Sequence, residues 1–306
     1  MSGADKSEET WAVDKCCASC GTPEVDDVKL KICDGCDLVN YCSDTCQQDH
    51  RPEHDAKCKE RAAELRDEIL FKQPESTHLG DCPICFLPLP IDGGYQLMEC
   101  CSKLICQGCE FANMTCRGLE QAMGTTCPFC RHLTVTTDEE ATKQMLKRIE
   151  ANDPIAIREM GGRHFQEEKN YNAAIEFFRR AAALGDVEAH FSLGYLYDEG
   201  KYVELDKGKA LFHLEEAAIG GHPDARCYLA CIESYWNEKY ERAVKHWIIA
   251  ANLGYDRAIR KLKEWYKDGL VSKDDFAAAL RAHKASVDAT KSPQRVAAQK
   301  FLDECG

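Results

Sequence analysis

Small and apolar residues recur in the second half of the chain with a period of 33 to 36 residues. One set at helical spacing occurs three times: Ala189, Leu193 and Leu196, then Ala225, Leu229 and Ile232, then Ala258, Leu262 and Trp265. A second set lies between these copies: Ala174, Phe178, Ala181 and Ala182, then Ala210, Leu214, Ala217 and Ala218, then Ala243, Trp247, Ala250 and Ala251. Each copy of the second set is followed by a glycine at a position where a helix C-cap is expected, namely Gly185, Gly221 and Gly254. This period is typical of helix hairpins stacked into an α-solenoid, with alanines where the paired helices approach closely.

Shorter patterns predict helices outside these repeats. Thr137 and Glu140 form a capping box that opens one helix, and Asp153-Pro154 opens the next by placing proline at the first helical position. Residues 59–73 carry apolar residues at helical spacing among charges, which predicts an amphipathic helix. Ser292-Pro293 is a start signal for a C-terminal helix, for which the sequence offers no chemistry.

The first 130 residues are organised by paired cysteines instead. Eight of the 20 cysteines form four pairs between positions 82 and 130: Cys82 and Cys85, Cys100 and Cys101, Cys106 and Cys109, Cys127 and Cys130. Tetrahedral zinc takes four thiolate or imidazole ligands, and a CxxC turn presents two sulfurs on one side. The four pairs therefore predict two zinc ions.

A second cluster of ligands precedes this one. Its pairs are Cys17 and Cys20, Cys33 and Cys36, Cys42 and Cys46, His54 and Cys58. The last two pairs are spaced i,i+4, which places both ligands on one face of a helix. Cys16 and His50 are alternative ligands, but the spacing favours Cys17 and His54.

This second cluster, with Tyr41 before Cys42 and Gln47 after Cys46, resembles the MYND zinc finger over residues 17–58. The resemblance implies two interleaved sites. One would contain Cys17, Cys20, Cys42 and Cys46, and the other Cys33, Cys36, His54 and Cys58. Many family members place a tryptophan beside a groove for proline-rich peptides, three residues before the ligand histidine. Arg51 stands there in this chain, so a purely structural finger is at least as well supported as a peptide-binding one.

The pairs from Cys82 to Cys130 resemble an all-cysteine RING domain. The resemblance implies a cross-brace, with Cys82, Cys85, Cys106 and Cys109 on one zinc and Cys100, Cys101, Cys127 and Cys130 on the other. Lys103 stands where the usual pattern has a histidine ligand, and Cys101 stands where all-cysteine variants place a cysteine. Adjacent cysteines are a tight fit on one zinc because successive side chains tend to diverge. Cys116 is therefore the alternative fourth ligand.

RING domains of the ubiquitin-ligase kind form no covalent bond with substrate, so they have no covalent catalytic residue. They hold a ubiquitin-charged conjugating enzyme where an acceptor lysine can attack, which is catalysis by positioning. The resemblance implies that Ile84 and Pro128 contact this enzyme and that Arg131 bonds both carrier and ubiquitin. The same residues also suit packing, turn geometry and a solvated arginine.

The repeats resemble the Sel-one-like repeat, a relative of the tetratricopeptide repeat, over about residues 154–290. The phrases that carry the resemblance are residues 193–200 (LGYLYDEG) and 217–222 (AAIGGH). In the last hairpin, His283 and Lys284 replace the alanines, as expected of a terminal repeat that faces water.

The charge and the cysteine content of the chain argue against some classes of function. The formal net charge is −13 before the ligand thiols are counted as thiolates, and such a surface repels phosphate backbones, so we expect no nucleic-acid partner. The polar, acidic N-terminus and the lack of an apolar run of ~20 residues predict neither a secretory signal nor a membrane span. We therefore expect a soluble cytoplasmic or nuclear protein, in which paired cysteines hold metal rather than form disulfides.

These patterns predict a multidomain chain in which two small cross-braced zinc modules precede an all-α solenoid of helix hairpins. The expected parts are a disordered N-terminus (1–15), a MYND-type finger (16–58), a linker helix (59–76), a RING-type finger (77–134), a connecting helix (135–152), the repeat solenoid (153–290) and a tail helix (291–306). The first functional hypothesis is a RING-type ubiquitin ligase whose repeats recruit substrate. The alternative is a non-catalytic scaffold, including a MYND-type co-regulator.

Overall fold

The computed structural model describes residues 16–22, 24, 29–115, 126–133 and 137–305. The predicted disordered segment 1–15 and the alternative ligand Cys116 lie outside these residues. The chain divides after Leu70 into two compact units. None of the described helices is both long and apolar enough to cross a bilayer.

The first unit is built on a short hairpin and one long helix. Strands β1 (Lys31–Ile32) and β2 (Asn40–Tyr41) pair antiparallel, and helix α1 (Asp44–Leu70) follows. Its hydrophobic cluster contains three buried cysteines, Cys17, Cys33 and Cys36, together with Tyr41. So small a core leaves the unit dependent on metal for its shape.

Helix α1 differs from the linker helix that the sequence predicts over residues 59–76. It begins at Asp44, carries three of the first-cluster ligands, and continues without a break to Leu70. Residues 59–70 are thus its second half, and residues 71–76 are not helical. Arg61 on this half bonds Asp37, so the helix extension also supports the finger.

The second unit begins with another cysteine module. Strands β3 (Tyr95–Met98) and β4 (Lys103–Cys106) form an antiparallel hairpin, and helix α2 (Gln107–Thr115) follows directly. Leu89, Met98 and Ile105 are its buried apolar residues, and they pack among the cysteines.

The rest of the second unit is helical. Helix α3 (Asp138–Glu150) packs on α4, and Thr137 caps it by accepting a hydrogen bond from the Glu140 N–H. Four hairpins follow: α4 (Pro154–Gln166) with α5 (Tyr171–Ala183), α6 (Val187–Glu199) with α7 (Lys207–Ile219), α8 (Pro223–Cys231) with α9 (Tyr240–Asn252), and α10 (Asp256–Lys267) with α11 (Lys273–Ala289). A π-helical turn, Ile232–Trp236, ends the first helix of the third hairpin.

The hairpins contain the packing that the sequence periodicity predicts. The repeated alanines and leucines form two apolar clusters that run through the stack. Gly185, Gly221 and Gly254 all have a positive φ, which lets the chain turn from one hairpin into the next. Gly194 admits Leu214, since a Cβ at Gly194 would lie 2.8 Å from the Leu214 Cγ.

The last helix, α12 (Pro293–Cys305), leaves the solenoid and packs on α2 of the cysteine module. Further links join this module to the repeats. Glu99 forms an ion pair with Arg163 on α4, and the His78 N–H bonds the Gly221 carbonyl. The second cysteine module and the repeats therefore form one unit.

Candidate metal centres and the surface they support

The structure brings the sixteen predicted ligands into four groups of four. Within each group the ligand atoms lie within 4.8 Å of one another: Cys17, Cys20, Cys42 and Cys46; Cys33, Cys36, His54 and Cys58; Cys82, Cys85, Cys106 and Cys109; Cys100, Cys101, Cys127 and Cys130. The pairs alternate along the chain in the order that the two resemblances imply. Neither Cys16 nor His50 belongs to a group.

The distances within these groups fit tetrahedral zinc. With Zn–S bonds of about 2.3 Å, two sulfurs on one ion lie about 3.8 Å apart. Six sulfur pairs within the groups lie 3.3 to 3.9 Å apart, far beyond the roughly 2.05 Å of a disulfide. His54 Nε2 lies 3.1 Å from Cys36 Sγ. Each group offers four thiolate or imidazole ligands among the described residues, which is the donor set of a structural zinc site.

Four of the five CxxC spacings, all except that of Cys106 and Cys109, form tight turns with the same backbone, which we call knuckles. The residue after the second cysteine takes a positive φ in each, namely Gly21, Asp37, Phe86 and Arg131. Its N–H donates to the carbonyl of the first cysteine, at 2.8 to 3.1 Å. The turn directs neighbouring N–H groups at the first sulfur and brings both sulfurs to one side.

Electrostatics inside two knuckles favour thiolate. Burial raises the pKa of the Cys17 thiol, but hydrogen bonds from nearby backbone N–H groups outweigh this and lower its pKa to about 6. The same opposition lowers the pKa of Cys82 to about 7. A deprotonated sulfur is the form that binds zinc.

Cys100 and Cys101 join one group because they lie in a turn. They occupy the tight connection between β3 and β4, where the N–H groups of Cys101 and Ser102 both bond the Met98 carbonyl. Ser102 has a φ of 53°. The chain reverses here, so the two side chains do not diverge as they would in a strand. Cys101 Sγ lies 3.9 Å from Cys127 Sγ.

The remaining predicted site residues lie on or beside the knuckles. Ile84 and Arg131 are exposed, and Pro128 is half-buried. Arg51 lines a hollow of about 320 Å³ beside the group that contains His54, together with Asp44 and Asp55. The described hollow therefore carries charges of both signs.

Sequence analysis missed two exposed aromatic residues on the knuckles of the second module. Phe86 is 76% exposed and Phe129 is 44% exposed. Phe86 also has a φ of 56°, a conformation that costs a bulky residue about 1–2 kcal/mol. The first knuckle of the chain uses Gly21 at this position. The positive φ comes with the knuckle turn, and the turn places the Phe86 ring in solvent.

A further group, His78, Glu188 and His222, also brings potential ligand atoms together. Here the hydrogen bonds identify its role. His222 Nδ1 accepts the Ala225 N–H, so the proton of the neutral ring is on Nε2, which donates to Glu188 at 3.1 Å. A metal on Nε2 would require the proton on Nδ1 and would break this cap. The group is therefore a hydrogen-bonded staple between His78 and the repeats, and no sequence spacing signals it.

Comparison with known proteins identifies two of the modules. The sequence matches the MYND finger over residues 17–58 and the Sel1 repeat over residues 154–186, 187–222 and 224–255. The second cysteine module lies outside both matches.

Individual relatives match the repeats. The alginate biosynthesis protein AlgK of Pseudomonas syringae pv. tomato is 30% identical over 139 residues, which is 44% of this chain and 29% of that protein. The chain thus spans less than a third of the length of this curated relative.

Two solved structures are similar. The Sel1 repeat protein from Oxalobacter formigenes has a TM-score of 0.44 and 25% identity, over 60% of this chain and 72% of that one. The protective antigen c5321 of uropathogenic Escherichia coli has a TM-score of 0.38 and 22% identity, over 55% and 37%. The sequence matches thus show that the chain contains a MYND finger and Sel1 repeats, modules of kinds that mediate protein–protein interactions.

Proposed function

We propose that the protein is a RING-type ubiquitin ligase of the cytoplasm or nucleus. Its second cysteine module recruits a ubiquitin-charged conjugating enzyme, and its Sel1 repeats recruit the substrate. The observation that supports the proposal is the set of exposed residues on the first and last knuckles of the second module. Ile84 and Phe86 lie on the first, and Phe129 and Arg131 lie on the last. Zinc held by all four groups, two ions per module, maintains the knuckle turns of each module.

The grouping of the ligands supports this proposal. Ligands of the first and third pairs form one group and those of the second and fourth form the other, which is the cross-brace of the RING family. The exposed knuckle residues offer apolar contacts with a cation beside them. Arg131 has five N–H donors for carbonyl or carboxylate oxygens of a carrier and its ubiquitin.

The attachment of the module to the repeats supports the second half of the proposal. Arg163 Nη2 lies 2.9 Å from Glu99 Oε1. The staple of His78, Glu188 and His222 joins the module to two successive hairpins, at the first helix of the second and at the helix start of the third. A substrate bound to the repeats would be held at a fixed position relative to the conjugating enzyme. Positioning of this kind is what a RING ligase contributes to catalysis.

A non-catalytic adaptor is the second candidate. The observation that favours it is that helix α12 covers α2: Ala298 is buried, and Phe301 packs on Phe111. Because α12 occupies this face of α2, a conjugating enzyme would have to bind at the knuckles.

An autoubiquitination assay with a panel of conjugating enzymes tests the proposal. We expect activity in the wild type and its loss in Ile84→Ala and Arg131→Ala, with the zinc content unchanged. Leu146→Ala is the matched control because Leu146 is an exposed apolar residue on α3, outside the knuckles. Inactivity with every conjugating enzyme, in a zinc-loaded chain whose repeats still bind partners, would support the adaptor.

A further inference from the structure

We propose that the C-terminal helix α12 is the closing element of the second zinc module, and that Arg295 is a positioning residue of its first zinc site. That site contains Cys82, Cys85, Cys106 and Cys109. Arg295 is more than 180 residues away in sequence from each of these ligands. The inference concerns the metal site and stands whether or not the module recruits a conjugating enzyme.

The guanidinium of Arg295 bonds the loop that follows the first knuckle. Its Nη2 donates to the Leu87 carbonyl at 3.1 Å and contacts Cys85 Sγ at 3.5 Å. Its Nη1 donates to the Pro88 carbonyl at 2.6 Å, and to the Thr290 carbonyl at the same distance. The Arg295 guanidinium thus contacts the ligand Cys85, the loop that follows it and the segment that leads into α12.

The charge of the site explains why a cation is placed there. Four thiolates around one Zn²⁺ carry a net charge of −2, and Cys82 and Cys106 are fully buried. A buried excess charge is costly unless donors or opposite charges face it. Arg295 supplies both, because charge-assisted hydrogen bonds are stronger than neutral ones. The second site has no equivalent arginine contact among the hydrogen bonds of the described residues.

The packing shows that α12 is fitted to this module. Gly108 lies between the ligands Cys106 and Cys109, and a Cβ at Gly108 would lie 2.8 Å from the backbone N of Arg295. Only glycine permits this approach without displacing the helix. Farther along α12, Ala298 is buried and Phe301 packs on Phe111 with ring centroids 5.2 Å apart. Ser292 caps the helix start by accepting the Arg295 N–H.

Outer contacts of this kind typically change metal affinity by about 10- to 100-fold. Arg295→Met removes the charge and the donors while keeping much of the side-chain volume. Arg295→Lys keeps the charge but loses the planar fork, so its effect should be intermediate. Arg281→Met, on α11, is the matched control for loss of an exposed arginine.

The test uses the full chain loaded with ¹¹³Cd²⁺ and then with zinc. We expect Arg295→Met to shift the ¹¹³Cd resonance of one of the three tetrathiolate sites and to leave the other two in place. A competing chelator should then remove one zinc about 10- to 100-fold more readily than from the wild type. Arg295→Lys should restore part of the retention, and Arg281→Met should match the wild type.

Two further variants keep the proposal open to refutation if Arg295→Met folds poorly. Gly108→Ala leaves the arginine in place but forces α12 away, and deletion of residues 291–306 removes the helix. Both should weaken the same site selectively. Unchanged zinc retention in all three variants would overturn the proposal, and so would equal weakening of the two sites of the module.

Discussion

His50 and His54 stack one turn apart on α1, with ring centroids 5.6 Å apart, yet they bond different groups. His54 Nε2 lies 3.1 Å from Cys36 Sγ, whereas His50 Nδ1 lies 3.0 Å from the Tyr41 hydroxyl. Of these two histidines, His54 belongs to a group of metal ligands and His50 does not. Sequence spacing alone favours the same choice, because His54 is four residues before Cys58.

The first prediction concerns this pair. His54→Ala should remove one zinc from the first finger, because three thiolates remain where a structural site needs four ligands. His50→Ala should retain every zinc and lose only the bond to Tyr41. Native mass spectrometry of the two variants gives the counts. Equal zinc content in both variants would contradict the assignment of His54.

The second prediction distinguishes Cys101 from Cys116. Cys101→Ser should lose one zinc from the second module, because Cys101 Sγ lies 3.9 Å from Cys127 Sγ within a group of four. Cys116→Ser should retain it. The same mass measurement applies to both variants, and loss of zinc from Cys116→Ser alone would reverse the assignment.

The third prediction separates stability from partner binding at Phe86. Phe86→Gly should stabilise the folded chain by about 1 kcal/mol, since glycine takes a positive φ without strain. It should also weaken binding to a conjugating enzyme, because the exposed ring is lost. Asp37→Gly, at the same position of another knuckle, is the control for partner binding, which it should leave unchanged. Its stability is not compared, because it also removes the ion pair with Arg61. Calorimetric melting and a binding titration measure the two effects, and a loss of stability in Phe86→Gly would contradict the account.

The fourth prediction is a pH dependence at a pair of histidines in the repeats. His190 Nε2 donates to the Ala182 carbonyl, so its Nδ1 accepts the proton of His213 Nδ1, 3.0 Å away. Burial, and then the neighbouring His190, lower the pKa of His213 to about 4, with Arg179 and Lys209 adding to the effect and Glu216 opposing it.

The sign follows from proton counts. Between about pH 6.5 and 4, His213 is neutral in the folded chain and protonated in the unfolded chain, so the unfolded state binds more protons and stability falls as the pH falls. His213→Gln keeps a donor to His190 but does not titrate. Its thermal midpoint should therefore fall less than that of the wild type between pH 7 and pH 5. Equal falls, measured in zinc-saturated buffer, would show that His213 does not contribute.

Much of this architecture is readable from the sequence because its signals are local. The CxxC spacings and the i,i+4 spacing of His54 and Cys58 bring ligand pairs together locally, and the alanine period of 33 to 36 residues defines the hairpins. The expectation of one helix face for Cys42 and Cys46 is wrong, because α1 begins at Asp44, after Cys42. The capping box at Thr137 and the cap at Asp153 also act within three residues.

Other features depend on contacts between distant segments. Arg295 reaches Cys85 across 210 positions, and His78 reaches Glu188 across 110, so no spacing reveals either. The length of α1 was misjudged for a different reason. Its first half contains metal ligands and charged residues rather than an apolar stripe, so hydrophobic periodicity detects only the second half. Adjacent cysteines such as Cys100 and Cys101 could not bind one zinc from a strand, because their side chains would point to opposite faces. They lie in a hairpin turn, which brings both sulfurs into one group.

We infer that thiolates, rather than an apolar core, fix the shape of both cysteine modules. Native mass spectrometry of the purified full chain counts the metal ions that these thiolates hold. We expect four zinc ions per chain, two per module. A folded chain with two ions or fewer would refute this inference.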